Sequence, residues 1–123
     1  MSSSISPISS AISDNTVRSL HVALDGLDAR QRAISSNLAN LETPNYHAHQ
    51  VAFEDSLRQA MQHNDPTRAS ISSSQSMAAT RLNGNNVNID FETMAGSENL
   101  LRQKLVIQAL NSKFTIMRTS ITG

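Results

Sequence analysis

The sequence predicts a mainly α fold. Long N- and C-terminal heptad helices pack as a coiled-coil hairpin, with a mostly irregular middle segment holding a short helix and a short extended stretch. Three observations predict this. Val17, Leu20, Leu24, Leu27, Gln31, Ile34, Leu38 and Leu41 recur at spacings of 3 and 4, an a/d stripe with one polar member. Leu100, Gln103, Ile107, Leu110, Phe114, Met117 and Ile121 repeat the pattern near the other end, again with one Gln. Finally, 38% of the residues are hydrophobic but only 3% are aromatic and Trp is absent, an inventory that suits helix seams better than a globular core.

Along the chain, residues 1–13 are Ser-rich and read alone as a tail, to be ordered by assembly. The first axial helix is expected over 14–42, capped by Ser13 or Asp14. Residues 43–89 form the middle segment. Within it, "VAFEDSLRQAM" (51–61) reads as a short amphipathic helix and "HNDPTRASISSSQS" as a mobile loop. Asn83-Gly84-Asn85-Asn86 is a turn signal, after which Val87, Ile89 and Phe91 alternate with polar residues as a short extended stretch. The second axial helix is expected over 90–123, capped by Asp90 or Ser97. Met94, Leu101, Leu105 and Ala109 widen its apolar face. One antiparallel register sets Gln31 beside Gln103, pairing the polar seam residues.

The first helix is expected to stop abruptly. Asn enters left-handed backbone conformations cheaply, so Asn40 suits a helix C-cap. Pro44 drives Thr43 out of the helical region. Pro44 and Asn45 fit the central positions of a tight turn, and Tyr46, the only Tyr, follows as an anchor against the helix end.

Composition narrows the function. Ten basic and ten acidic residues give zero net charge, and the basic residues are scattered, which argues against nucleic-acid binding. No apolar run approaches a membrane span, no cleavable leader is visible, and without Cys there is neither disulfide nor thiolate chemistry. His47 and His49 lack a third ligand and read as solvated loop residues. Asp14, Asp25 and Asp28 read as capping and solvation. No phosphate loop, nucleophile elbow or carboxylate pair can be drawn, so neither an enzyme nor a cofactor is expected.

"SNLANLETPNY" resembles the "ANNxANxxTPxY" signature of the flagellar axial family, the rod and hook proteins. Asn37, Asn40, Thr43, Pro44 and Tyr46 take the matching positions, and Asn45 replaces the more usual Gly. "GNNVNIDFETMAGSENLLRQKLVIQALNSKFTIMRTSI" resembles the C-terminal block of the family's proximal-rod members. Residues 15–60 and 83–122 carry the likeness; 1–13 and 62–82 do not. The resemblance implies a structural subunit of the bacterial proximal rod, the periplasm-spanning axial drive shaft of the basal body. It implies export by the flagellar type III apparatus and torque transmission. The implied partners are other copies of itself, other rod subunits, the rod-adaptor protein, and base-ring and export-gate components. Phe53 and Leu57, four apart on one helix face, are candidates for the short Phe-xxx-apolar element that the export gate reads. The rivals are a soluble helical-hairpin adaptor or chaperone that binds a partner helix, or a different short rod subunit of the same family.

Overall fold

Heptad helices do form at both ends. The computed structural model describes the backbone of residues 7–122 and the side chains of residues 15–119. Helix α1 spans Pro7–Ala39, strand β1 His49–Ala52, helix α2 Glu54–Gln62, strand β2 Ser72–Gln75 and helix α3 Ile89–Thr122, with a 3-10 turn at Pro66–Arg68. The long helices are each roughly 50 Å from end to end. They lie antiparallel, and the middle segment folds back along α1.

The boundaries depart from expectation in instructive ways. Helix α1 starts at Pro7, inside the segment expected as a tail. Pro is well placed in a first turn, where its missing N–H would have no partner anyway. Ile8, Ala11 and Ile12 also continue a helical spacing that the serines obscure. The expected caps Ser13 and Asp14 fall among side chains outside the described residues. Helix α3 starts at Ile89, so the alternating stretch 87–91 is not extended throughout. Its cap is Asn88, neither Asp90 nor Ser97: Asn88 Oδ1 accepts from Phe91 N–H at 3.0 Å and Asn88 C=O from Glu92 N–H at 2.9 Å.

Within the stretch expected as loop, Ser72–Gln75 forms a strand, β2. Strand β2 pairs antiparallel with β1, with His49 opposite Gln75 and Ala52 opposite Ser72. All four β2 residues are exposed, so the backbone ladder holds it, with one added bond from Ser72 Oγ to Ala52 C=O at 3.3 Å. With neither face buried, the alternation that announces a strand is absent.

The core is small and sits where α1, α2 and β1 meet. Leu27, Phe53 and Leu57 are buried together, flanked by Val22, Ala23, Val51, Ala69 and Val106. Gly26 admits the Phe53 ring: a Cβ there would overlap it.

The hairpin register differs by about one turn from the Gln31–Gln103 pairing. Asn99 Nδ2 donates to Leu27 C=O at 2.9 Å and to Gln31 Oε1 at 3.1 Å, while Gln103 Nε2 donates to Asp28 Oδ1 at 2.7 Å. Each Gln therefore finds its own partner, because Asn99 reaches the α1 backbone and fixes the stagger.

Candidate functional site

The end of α1 is built from backbone upward. Asn40 N–H donates to Ser36 C=O at 3.1 Å, and its Nδ2 donates to the same oxygen at 2.8 Å. Thr43 Oγ1 donates to Asn40 Oδ1 at 3.1 Å. Pro44 then leads into Asn45 at φ 62°, and Tyr46 N–H returns to Thr43 C=O at 3.3 Å. Positive φ at the third turn position is what a type II turn requires, and Asn tolerates it. The Tyr46 hydroxyl lies 3.2 Å from Ser36 Oγ and donates to Asn37 Oδ1 at 3.3 Å. Its ring centroid lies 5.7 Å from that of His49.

Asn37 is the hub. It is 1% exposed. Its Nδ2 donates to His49 C=O at 2.9 Å, and its Oδ1 accepts from His49 N–H at 2.9 Å. The carboxamide thus imitates a strand peptide and satisfies both groups of one β1 residue. Nδ2 also donates to Glu92 Oε1 at 3.1 Å, tying in the first turn of α3. Burial pushes the Glu92 carboxyl above its ordinary value, and the Asn37 bond opposes that in part.

Two turns earlier on α1, Arg30 serves the same strand edge. Its Nε and Nη2 donate to Val51 C=O at 3.2 and 2.8 Å. Its Nη1 and Nη2 grip both Glu54 oxygens at 2.6 and 2.7 Å, and its guanidinium lies 5.0 Å from the Phe53 ring centre. The Arg30 bond is the main reason the Glu54 carboxyl is lowered to about 2.

A second loop closes over the turn. Asn85 is fully buried; its Nδ2 donates to Asn40 C=O and Thr43 C=O at 2.9 and 2.8 Å, and its Oδ1 accepts from Val87 N–H at 2.7 Å. Asn86 Oδ1 accepts from Ala48 N–H at 2.7 Å, and its Nδ2 donates to Ser76 and Ala78 carbonyls at 3.1 Å each. Arg81 donates to Val87 C=O at 2.6 Å and Leu41 C=O at 2.5 Å. Sequence reasoning marked residues 83–86 as a turn but missed Asn85, Asn86, Arg81, Arg30 and Glu92 as clamps. Four Asn in six residues beside a buried Val was the available signal.

Phe53 and Leu57 are both buried in the core, facing α1. In the helix seams the outcome is split. Leu27, Ile34 and Leu110 are buried; Val17, Leu20, Leu24, Gln31, Leu41, Gln103 and Met117 are half-buried. Leu38, Leu100, Ile107 and Phe114 are exposed, a correction to the sequence expectation within a single chain; Ile121 lies outside the described side chains. The reason is rotational. The α3 residues facing α1 are Asn99, Gln103, Val106 and Leu110, so the stripe is centred about a fifth of a turn from the row Leu100–Ile107–Phe114. Met94, Leu101 and Leu105 stand exposed on the opposite flank. Helix α3 is thus apolar on both sides of the face that α1 covers.

A cleft of about 320 Å³ opens between α1, β1 and α3, lined by Arg30, Glu54, Glu92, Glu98, Asn99 and Arg102 among others. It presents no nucleophile beside a base. Among the described residues no three His, Asp or Glu side chains gather as metal ligands, and no helix is long and apolar enough to cross a membrane.

No protein-family model matches the chain. Two curated proteins do. The flagellar basal body rod protein FlgB of Bacillus subtilis strain 168 is 30% identical over 121 residues, covering 88% of this chain and 94% of that protein. The protein of the same name from Borreliella burgdorferi is 29% identical over 108 residues, covering 70% and 80%.

Proposed function

The chain belongs to the FlgB family of flagellar basal body rod proteins, and from that premise we propose that it builds the proximal rod and transmits motor torque through its paired helices. It is a structural protein of the rod. The observation that carries the mechanism is the pair of exposed apolar flanks on α3, between 43% and 65% exposed at Leu100, Ile107, Phe114, Met94, Leu101 and Leu105. A helix apolar on three sides belongs inside a cluster of helices. Neighbouring copies and other rod subunits, joined head to tail, would cover both flanks and extend an array. The rod adaptor and the base ring are the proposed neighbours below.

The Asn37–Asn40–Thr43–Pro44–Tyr46 motif has the proposed role of ending α1 at a fixed height and pinning the middle segment beside it. Export by the type III apparatus precedes folding in this reading. Phe53 and Leu57 are buried once the chain is folded, which supports their recognition by the export gate only in the unfolded chain.

The test is Ile107→Asp, at a side chain 46% exposed, where a carboxylate can reach water, with circular dichroism checking that the helices persist. The expected result is a soluble, helical, exported chain absent from isolated basal bodies. Wild-type incorporation of this variant would overturn the proposed packing.

A further inference from the structure

The loop that closes over the helix end contains the chain's one Asn-Gly pair, Asn83-Gly84. The fold requires glycine there. Gly84 has φ 81°, and a Cβ would overlap Asn45 Oδ1. Yet glycine after asparagine leaves the following backbone nitrogen unshielded, the arrangement that most readily closes a five-membered ring on the Asn side chain.

The docked loop blocks that ring closure. Gly84 N–H donates to Arg81 C=O at 2.9 Å, so the attacking nitrogen is engaged. Asn83 Oδ1 accepts from Asn85 N–H at 3.1 Å, which turns the carboxamide toward residue 85. Asn83 C=O accepts from Asn45 N–H at 2.8 Å, which fixes the backbone between the two reacting groups. Asn83 itself is exposed, so water and base reach it once the loop lifts.

We propose that Asn83 is a self-modification site, deamidating through a cyclic imide, and that docking of the 81–88 loop on the Thr43–Tyr46 turn holds the reaction off. The Gly84 nitrogen loses its proton to solvent base and bonds to Asn83 Cγ. The Cγ–Nδ2 bond breaks, and the amide leaves as ammonia after taking a proton from water. Water then adds to one imide carbonyl and opens the ring, giving Asp or isoaspartate. No electron is gained or lost. Isoaspartate routes the main chain through Cβ and Cγ, so the Arg81–Gly84 turn cannot reform and the loop cannot redock. A chain that waits undocked is thereby removed from the pool able to fold at this site.

The experiment incubates the full chain at mildly alkaline pH, in native buffer and in denaturing urea, and follows each Asn by peptide mass spectrometry. Conversion at Asn83 should be about tenfold or more faster in urea, because native opening of the loop limits the rate. Asn85→Ala, which removes the bonds to Asn40 and Thr43, should react faster than wild type in native buffer. Should circular dichroism show that this variant has unfolded, Arg81→Met takes its place. Equal rates in the two solvents, an unchanged rate in a folded loop variant, or another Asn reacting first in urea would each overturn the proposal.

Discussion

Asn37→Ala tests the docking of the middle segment most directly. The substitution removes the carboxamide that bonds both His49 backbone groups, Glu92 and Tyr46. Tyr46 keeps Ser36, and Glu92 loses one donor. The His49 N–H and C=O lose the carboxamide in a half-buried place, and leaving such groups unmet costs about 1–3 kcal/mol each. Water reaches that edge in part, so the expected loss is about 3 kcal/mol. For a domain of ordinary stability that is about a third of the total. Urea unfolding followed by far-UV circular dichroism should show the midpoint fall by about 1–2 M at unchanged slope. Hydrogen exchange at the His49 amide should rise while amides in the middle of α1 stay protected. Asn37→Asp keeps the acceptor oxygens but loses both donations and sets a carboxylate against Glu92. It should be the worse variant at neutral pH and should recover toward acid. A loss below about 1 kcal/mol with His49 protection unchanged would refute the claim that the side chain stands in for a strand.

Two substitutions at the core distinguish the proposed export role of Phe53 from its role in folding. Phe53→Ala should reduce secretion, whereas Gly26→Ala, which crowds the same ring from α1, should leave secretion intact and destabilise the folded chain by about 1–3 kcal/mol in thermal melts. Equal secretion of the two variants would remove Phe53 from export. Tyr46→Ala should lower incorporation into isolated basal bodies without changing the helix content of the free chain. The pH dependence has two opposed parts. Glu92 is raised in the folded state, so its stabilising contribution is present below the unfolded value of 4.5 and is lost as pH rises through the folded value. Glu92→Gln should therefore stabilise the chain at neutral pH and flatten that slope in denaturation series. Glu54 is lowered to about 2, so its contribution is present above 4.5 and is lost as pH falls toward 2. Because Glu54 is nearly half exposed, its pair with Arg30 is worth about 1 kcal/mol or less.

Much of the fold was legible because period 3.6 survives in any long helix. The two heptad stripes identified α1 and α3, and the Asn-Thr-Pro-Tyr run identified where α1 stops. What was not legible depended on which side of each stripe would meet a partner. A stripe five residues wide, counting Leu100, Leu101, Gln103, Leu105 and Ile107, specifies apolar character but not rotation. Rotation was set by Asn99, a polar residue that no apolar count includes, through its bond to Leu27 C=O. The clamps were hidden for a related reason. Asn85 and Asn86 act through carboxamides that meet backbone groups some 40 residues away, and turn propensity reports only their local conformation. Strand β2 was invisible because its serines bury nothing.

In the proposed packing, the exposed flanks of α3 would also set how assembly proceeds. Burying the remaining half of a large apolar side chain is worth about 1 kcal/mol. One flank, with Leu100, Ile107 and Phe114, therefore supplies about 3 kcal/mol, less than the 4 kcal/mol or more that association costs in lost motion. Both flanks together supply about 6 kcal/mol, which offsets the lower estimates of that cost. On the proposed packing, a subunit with one neighbour would be held weakly and one seated between two neighbours would be held. Growth should follow sites that offer two neighbours at once, and free subunits should not polymerise in solution. The consequence for mutants is non-additivity. Ile107→Asp on one flank and Leu105→Asp on the other should each abolish incorporation into basal bodies about as fully as the double variant. Partial losses from the single variants that multiply in the double would show that each flank binds its neighbour independently, and the requirement for two neighbours would fall.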